Sequence, residues 1–221
     1  MLDGNVNKAG RSDSRNHRRP NDISSSYPIV TKVLSELELV EAGEHNILTF
    51  QEIEIMKEIR SRYCSDLLTK RNMAVILILY VESVDEVIAD LSAIGEVDID
   101  ECIADGSLVI ECDAHSLFSS TDFNFHSYIM KLQTQARRKG KEGLGVILDV
   151  SSLLLMDAME ELLKFESEIS SKSQPYLEYA SLLCCYNGLL FDKLERKHRE
   201  MIINNHHRKL YGIAISDNNS P

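Results

Sequence analysis

Apolar residues along this chain fall into short continuous runs that alternate with helically spaced patterns. The runs predict six strands, at positions 46–50, 73–81, 108–112, 144–150, 180–186 and 210–215. Apolar residues recur every three to four positions in the segments between them, which predicts helices over 52–69, 84–94, 99–104, 123–138, 152–170 and 189–205. Because parallel strands need long crossovers, this alternation predicts a three-layer α/β fold: a mostly parallel sheet of about six strands with helices on both faces.

The pattern also divides the chain into segments. Residues 1–26 are polar and basic, which predicts a disordered leader. Helical spacing over 29–40 predicts one helix within an extension spanning 27–43, able to pack on the domain or to mediate a homodimer. The α/β domain is expected over 44–216, followed by a polar tail at 217–221.

Charge and cysteine content indicate the cellular compartment and the classes of partner to expect. The net charge is -11 although the leader is basic, so an acidic body should repel nucleic-acid phosphates and anionic membranes. The longest apolar run, 73–81, is too short for a bilayer span of about 20 residues. Five cysteines without a CxxC pair suit free thiols in a reducing compartment. We therefore expect a cytoplasmic protein that binds neither membrane nor nucleic acid.

The turn after the first predicted strand lacks the chemistry that holds a nucleotide phosphate. It reads TFQEIE over 49–54, with no glycine and no lysine. Phosphate loops use glycine main-chain N–H groups and a lysine at this point of the fold. Here Glu52 and Glu54 would face the phosphate and repel it. The predicted fold is that of a nucleotide enzyme, but the residues that would bind the nucleotide phosphate are missing. No catalytic activity is therefore expected.

Three stretches resemble a known family. Residues 95–110, GEVDIDECIADGSLVI, are similar to a G-x-V-D-x-D passage that ends in G-x-L; residues 144–155 form a strand that ends in an acid, followed by serine and a helix; and residues 183–187 read LCCYN, resembling a strand end with C-x-Y-D/N. With His45 and a histidine at 206 or 207, they resemble the MEDS family, the DcmR-like sensory domain of methanogens and methylotrophs, over about residues 44–215. Asn187 stands where the family more often has aspartate.

The resemblance implies a fold and a role. The family is a degenerate relative of RecA-like ATPases, with sensing of small hydrocarbon derivatives as its proposed activity and no cofactor expected. Its members occur alone or fused to histidine kinases or helix-turn-helix regions. Neither region is visible in this chain, so the signal is expected to pass to a partner such as a histidine kinase or a transcription regulator.

Seven residues at predicted strand or helix ends are candidates for lining a ligand site, because α/β sheets bind ligands beyond the carboxyl ends of their strands. They are His45, Phe50, Asp113, Asp149, Cys184, Tyr186 and His206, with His207 as the alternative to His206. The segment 116–122 is predicted to be a loop that could cover this pocket.

Each candidate also has a plainer interpretation. Asp149 is where an ATPase would hold Mg²⁺, but a structural or ligand-polarising role is favoured without a phosphate loop. Alternation sends Cys184 and Cys185 to opposite faces, where both could be core residues. His45, one of these cysteines and His206 could converge on Zn²⁺ or Cu, yet no two have short ligand spacing, so no metal is assigned.

Three hypotheses about function follow. The first is a non-catalytic sensory domain that binds a small organic molecule. The second is a residual nucleotide-binding or ATPase-like protein, favoured by the scaffold and Asp149 and opposed by the acidic turn. The third is a pure interaction module that assembles through the helix at 29–40.

Overall fold

The computed structural model describes residues 27–80, 82–119, 123–155, 158–169 and 177–212. One sheet contains six strands: His45–Phe50 (β1), Ala74–Ile78 (β2), Leu108–Glu111 (β3), Leu144–Asp149 (β4), Ala180–Asn187 (β5) and Arg208–Gly212 (β6). Their order is β3-β2-β4-β5-β1-β6, and every pairing is parallel. The predicted leader 1–26 and tail 217–221 lie outside the described residues.

Ten helices are described in these ranges, mostly as crossovers between parallel strands. They are Pro28–Leu37 (α1), Ile53–Thr69 (α2), Val84–Ile94 (α3), Ile99–Ala104 (α4), Ala114–Ser119 (α5), Phe125–Arg138 (α6), Ser151–Leu155 (α7), Met159–Ile169 (α8), Gly188–Phe191 (α9) and Arg196–Asn205 (α10). None of them is long and apolar enough to cross a bilayer.

Helices cover both faces of the sheet. One face packs against α1 to α4, and β1 contributes Leu48 and Phe50 to that core. The opposite face packs against α5 to α10, and the same strand contributes Ile47 there. The central strands β2 and β4 are buried throughout and largely apolar, as expected for strands covered on both faces. The predicted three-layer α/β arrangement is confirmed, and Cys184 and Cys185 lie in opposite cores as alternation predicts.

Three predicted elements differ in detail. The helix predicted over 152–170 is two helices, α7 and α8, and the helix over 189–205 is likewise α9 and α10. The loop predicted at 116–122 is wrong up to Ser119, because α5 occupies that stretch; residues 120–122 lie outside the described residues. Buried Ala114 and the packing of Phe118 against Phe125 and Phe165 hold α5 against the domain.

The extension helix α1 belongs to the core of its own chain. Val30, Val33 and Leu37 are at most 1% exposed. The guanidinium of Arg71 donates hydrogen bonds to the carbonyls of Val40 and Leu37, at 2.8 and 3.0 Å, and so satisfies main-chain groups at the end of this helix. The apolar face of α1 is therefore covered within the chain.

Candidate functional site

Four ligating side chains meet in the core between the sheet and the helices α8 and α10. His45 starts β1, Cys184 lies in the middle of β5, Glu166 comes from α8, and His206 directly follows α10. One ligating atom from each lies within 4.8 Å of every other. All four residues are buried. We call this group the His₂-Cys-Glu cluster.

Strand register brings His45 to Cys184. In the parallel pairing of β1 with β5, Ile47 lies opposite Cys184, and residues two apart on a strand share a face. The His45 side chain therefore lies on the same face of the sheet as the thiol. Its Nε2 lies 3.2 Å from Sγ of Cys184. A contact between residues 139 positions apart depends on this register and on nothing local.

Glu166 is the member of the cluster that sequence reasoning missed. The buried stripe of α8 consists of Leu162, Phe165, Glu166 and Ile169. An acid on an apolar helical stripe is the signal that could have found it, because glutamate is almost never fully buried without a partner. The hydroxyl of Tyr186 donates a hydrogen bond to its Oε1. Within the described ranges, its Oε2 has no hydrogen-bond partner.

The neighbours of His206 determine where its proton lies. Its Nδ1 lies 2.7 Å from the carbonyl oxygen of Ile202, which can only accept, so Nδ1 carries the hydrogen. Burial lowers the pKa of His206 to about 4, which leaves the ring neutral and Nε2 as a bare acceptor. That Nε2 lies 3.8 Å from Oε1 of Glu166 and has no hydrogen-bond partner among the described residues.

His207, the alternative to His206, has a different position. Its side chain is exposed, and its Nδ1 accepts a hydrogen bond of 3.0 Å from the main-chain N–H of His45. Its own N–H donates to the carbonyl of His45 at 2.7 Å. His207 thus holds the start of β1 in place and lies outside the cluster.

Burial keeps the side chains of the cluster uncharged. It raises the pKa of Glu166 to about 8, although the hydrogen bond from Tyr186 opposes the rise. It also holds the pKa of the Cys184 thiol well above its usual range. The pKa of His45 is well below its usual range because of burial and the neighbouring His206 and His207. At neutral pH the group is a carboxylic acid, a thiol and two neutral imidazoles, whose rings pack with centroids 3.8 Å apart.

The contact of Cys184 with His45 is not that of an activated nucleophile. Reactive cysteines have a lowered pKa and partial exposure. Cys184 has a raised pKa and is fully buried. The arrangement suits binding better than thiol catalysis.

A cavity of about 360 Å³ lies between β1, β6, α9 and α10. Apolar side chains form much of its wall: Ile47, Phe191, Ile203 and Leu210. Charged side chains surround it: Asp192, Arg196, Arg199, Glu200 and Lys209. Thr49 also lines the cavity. Its buried hydroxyl has no hydrogen-bond partner in the described part of the chain.

The structure brings together four of the seven residues predicted from the sequence. These four are His45, Cys184, Tyr186 and His206, and they surround Glu166. They meet on one face of the sheet, and not beyond the carboxyl ends of its strands. None of the seven lines the cavity, to which β1 contributes Ile47 and Thr49 instead.

The other three predicted residues lie apart from the cluster and from one another. Phe50 is in the core on the opposite face, because its side chain alternates away from that of Thr49. Asp149 ends β4, where its Oδ1 accepts a hydrogen bond of 3.0 Å from the Ser151 N–H. Asp113 is exposed and follows β3, the edge strand four positions from β1 in the sheet.

The connection from β1 to α2 consists of two residues, Gln51 and Glu52. Both are exposed, as is Glu54 in the first turn of the helix. No residue from 49 to 54 has the positive φ that occurs where successive N–H groups curl around an anion. This connection offers negative charge and no cradle for a phosphate.

The sheet order and layers define a RecA-like α/β protein whose first turn has no phosphate loop. The structure is similar to that of an uncharacterized protein from Pyrococcus horikoshii, solved in complex with an unknown peptide, at 11% identity over 82% of each chain and a TM-score of 0.61. It is also similar to the flagellar accessory protein FlaH from Methanocaldococcus jannaschii, at 15% identity over 78% of this chain and 72% of that one, with a TM-score of 0.53.

These likenesses confirm the predicted RecA-like fold, and at such identities they bear on the fold alone. No protein-family model matches the chain, and neither does any curated protein.

Proposed function

We propose that this chain is a sensory domain of RecA-like fold that binds a small organic molecule in the cavity between β1, β6, α9 and α10. The cavity is the observation that carries the proposal. Its volume of about 360 Å³ lies in the range of small-molecule sites, about 300–1,000 Å³. The resemblance to the MEDS family points to the same activity.

The walls of the cavity suggest the chemistry of the ligand. Ile47, Phe191 and Ile203 suit a hydrocarbon body. The unpartnered Thr49 hydroxyl would pair with a polar end, since a buried hydroxyl is stabilised by a hydrogen bond. Lys209 would favour a partial or full negative charge there, whereas Arg199 is already paired with Asp192. A short-chain alcohol, aldehyde or carboxylate combines these properties.

The signal would leave through a partner. A ligand wedged between α10 and β6 would change the balance between two arrangements of that helix if it binds one of them better. The exposed charged face of α10 includes Arg196 and Glu200 and could dock a histidine kinase or a transcription regulator in the cytoplasm. The resemblance supplies this choice of partner.

A residual ATPase is the second candidate, favoured by the fold. A triphosphate needs donors and positive charge at the end of β1, where this chain places Glu52 and Glu54. The sensory proposal therefore predicts that Mg²⁺-ATP leaves the melting temperature unchanged. Micromolar, Mg²⁺-dependent ATP binding would favour the ATPase hypothesis instead.

Ligand binding is tested by thermal unfolding with a panel of short-chain alcohols, aldehydes and carboxylates. Ile203→Trp places an indole in the cavity, whereas Asn204→Trp adds the same bulk at an exposed position of the same helix. We expect at least one compound to raise the melting temperature of the wild type and of Asn204→Trp but not that of Ile203→Trp. An equal shift in all three proteins, or none in the wild type, would contradict the proposal.

A further inference from the structure

We propose that His45, Glu166, Cys184 and His206 bind one transition-metal ion, for which Zn²⁺ is the best match. This site is distinct from the cavity, and the proposal does not depend on ligand sensing. Two imidazole nitrogens, a thiolate and a carboxylate are the donors that zinc takes in proteins. Softer or harder ions are less well suited to this mixture.

The distances between the donor atoms fit a tetrahedral ion. Bonds of about 2.0–2.3 Å to zinc place tetrahedral ligand atoms about 3.3–3.8 Å from one another. The His45 Nε2 to Cys184 Sγ distance is 3.2 Å, and the His206 Nε2 to Glu166 Oε1 distance is 3.8 Å. Since no pair of donor atoms exceeds 4.8 Å, binding requires shifts of only about 1 Å.

Neighbouring groups already orient two of the donors. The hydrogen bond from Nδ1 of His206 to the Ile202 carbonyl keeps Nε2 free of hydrogen. The hydroxyl of Tyr186 holds Oε1 of Glu166. Hydrogen bonds of this kind commonly fix the orientation of metal-binding histidines and carboxylates.

Besides Nδ1 of His45, the cluster has two unpartnered atoms that a metal ion would bind. Nε2 of His206 and Oε2 of Glu166 are buried and have no hydrogen-bond partner within the described part of the chain. Buried polar atoms without partners are uncommon, and a missing ion is one cause. A bound cation accepts a lone pair from each.

The charge balance suits a buried site. On binding Zn²⁺, the Cys184 thiol and the Glu166 carboxylic acid each release one proton to solvent, and the two imidazoles stay neutral. The dipositive ion with one thiolate and one carboxylate has no net charge. A neutral complex avoids the large cost of an isolated buried charge.

Cobalt is the probe that tests the site, because Co²⁺ in a tetrahedral site with a thiolate absorbs visible light strongly. Full-length protein treated with a chelator is titrated with Co²⁺ and then with Zn²⁺. We expect one Co²⁺ per chain, a thiolate-to-cobalt charge-transfer band, and loss of both signals as Zn²⁺ displaces cobalt.

Two pairs of variants assign the ligands. Cys184→Ser should lose the charge-transfer band, whereas Cys185→Ser, the adjacent thiol on the opposite face, should keep it. Glu166→Gln should weaken Zn²⁺ binding at least about ten-fold, the lower limit seen even for groups that only orient a ligand. Glu168→Gln, on the exposed side of the same helix, should leave Zn²⁺ affinity unchanged.

The wild type decides the question even if a variant fails to fold. Folded wild-type protein that shows no charge-transfer band in excess Co²⁺ would overturn the proposal. So would identical cobalt spectra for Cys184→Ser and Cys185→Ser, or equal Zn²⁺ affinity for Glu166→Gln and Glu168→Gln.

Discussion

Arg60 is 1% exposed, and its guanidinium is matched by carboxylates from the neighbouring connection and helix. Its two terminal nitrogens donate to Glu82, and one of them also contacts Asp90 at 3.3 Å. Lys57 adds a second cation at 3.2 Å from Glu82. A buried charge that loses its partner stays out of water without compensation. Removing one member of this ion pair should therefore destabilise the fold more than removing both.

Arg60→Met is expected to lower the free energy of unfolding by about 3 kcal/mol, because it leaves Glu82 with only Lys57. The double variant Arg60→Met/Glu82→Gln should lose less than the two single variants together. Urea unfolding measures all three. Lys70→Met, which breaks the exposed pair with Asp66, is the control and should cost about 1 kcal/mol or less. Strict additivity would contradict this coupling.

The ion pair of Arg60 with Glu82 should also make the free energy of unfolding depend on pH. Burial raises the pKa of Glu82, but hydrogen bonds and charges from Arg60 and Lys57 outweigh it and keep the pKa below 4.5. A carboxylate with a lowered pKa in the folded state stabilises it above the unfolded pKa and loses that effect as the pH falls through the folded pKa. The difference in unfolding free energy between wild type and Glu82→Gln should therefore shrink below about pH 4.5. Urea midpoints from neutral to acidic pH measure it, and a constant difference would contradict it.

Among the elements, α1 shows how an apolar pattern can have two interpretations. Its spacing predicted either packing on the domain or assembly, and the structure places Val30, Val33 and Leu37 against its own core. Leu39, just beyond the helix, is 62% exposed. A homodimer through this segment stays a proposal, and it would have to use a surface other than the buried stripe.

Leu37→Ala should lower the free energy of unfolding by about 2–5 kcal/mol, since it removes a fully buried side chain. Leu39→Ala is the matched control and should change it by about 0.5 kcal/mol or less. Chemical denaturation at several protein concentrations measures both effects. A cost for Leu37→Ala that disappears on dilution would indicate that this residue stabilises an assembly instead.

In the whole molecule, two apolar cores share one sheet. Leu48 and Leu77 point into the core under α1 to α4, and Ile47 and Ile76 point into the other. Because every central strand contributes to both cores, neither core can separate without breaking the sheet. The described chain should thus unfold as one cooperative unit.

This cooperativity is testable with one variant on each face. Leu37→Ala and Ile129→Ala, both fully buried, should each shift a single transition seen alike by circular dichroism and by tyrosine fluorescence. The chain has eight tyrosines and no tryptophan, so the fluorescence signal comes from tyrosine throughout. Two separate transitions, each shifted by only one variant, would contradict the expectation.

The sequence by itself determined the secondary structure and the layers, because these follow from local periodicity. Runs of apolar residues and helical spacing predicted six strands, their crossovers and the two-sided sheet, because a strand covered on both faces is apolar in a continuous run and burial in a helix repeats about every 3.6 residues. Alternation alone sent Cys184 and Cys185 to opposite faces. The acidic residues after β1 were also evident, since a tight turn is short and local.

Only the tertiary structure decided which side chains meet. Strand order put β5 beside β1, and register set Cys184 against His45, while the same order placed Asp113 at the far edge. Glu166 belongs to the cluster because α8 packs its buried stripe on the sheet face that carries His45 and Cys184. Contacts between residues more than a hundred positions apart depend on the packing of whole layers, which no local pattern specifies.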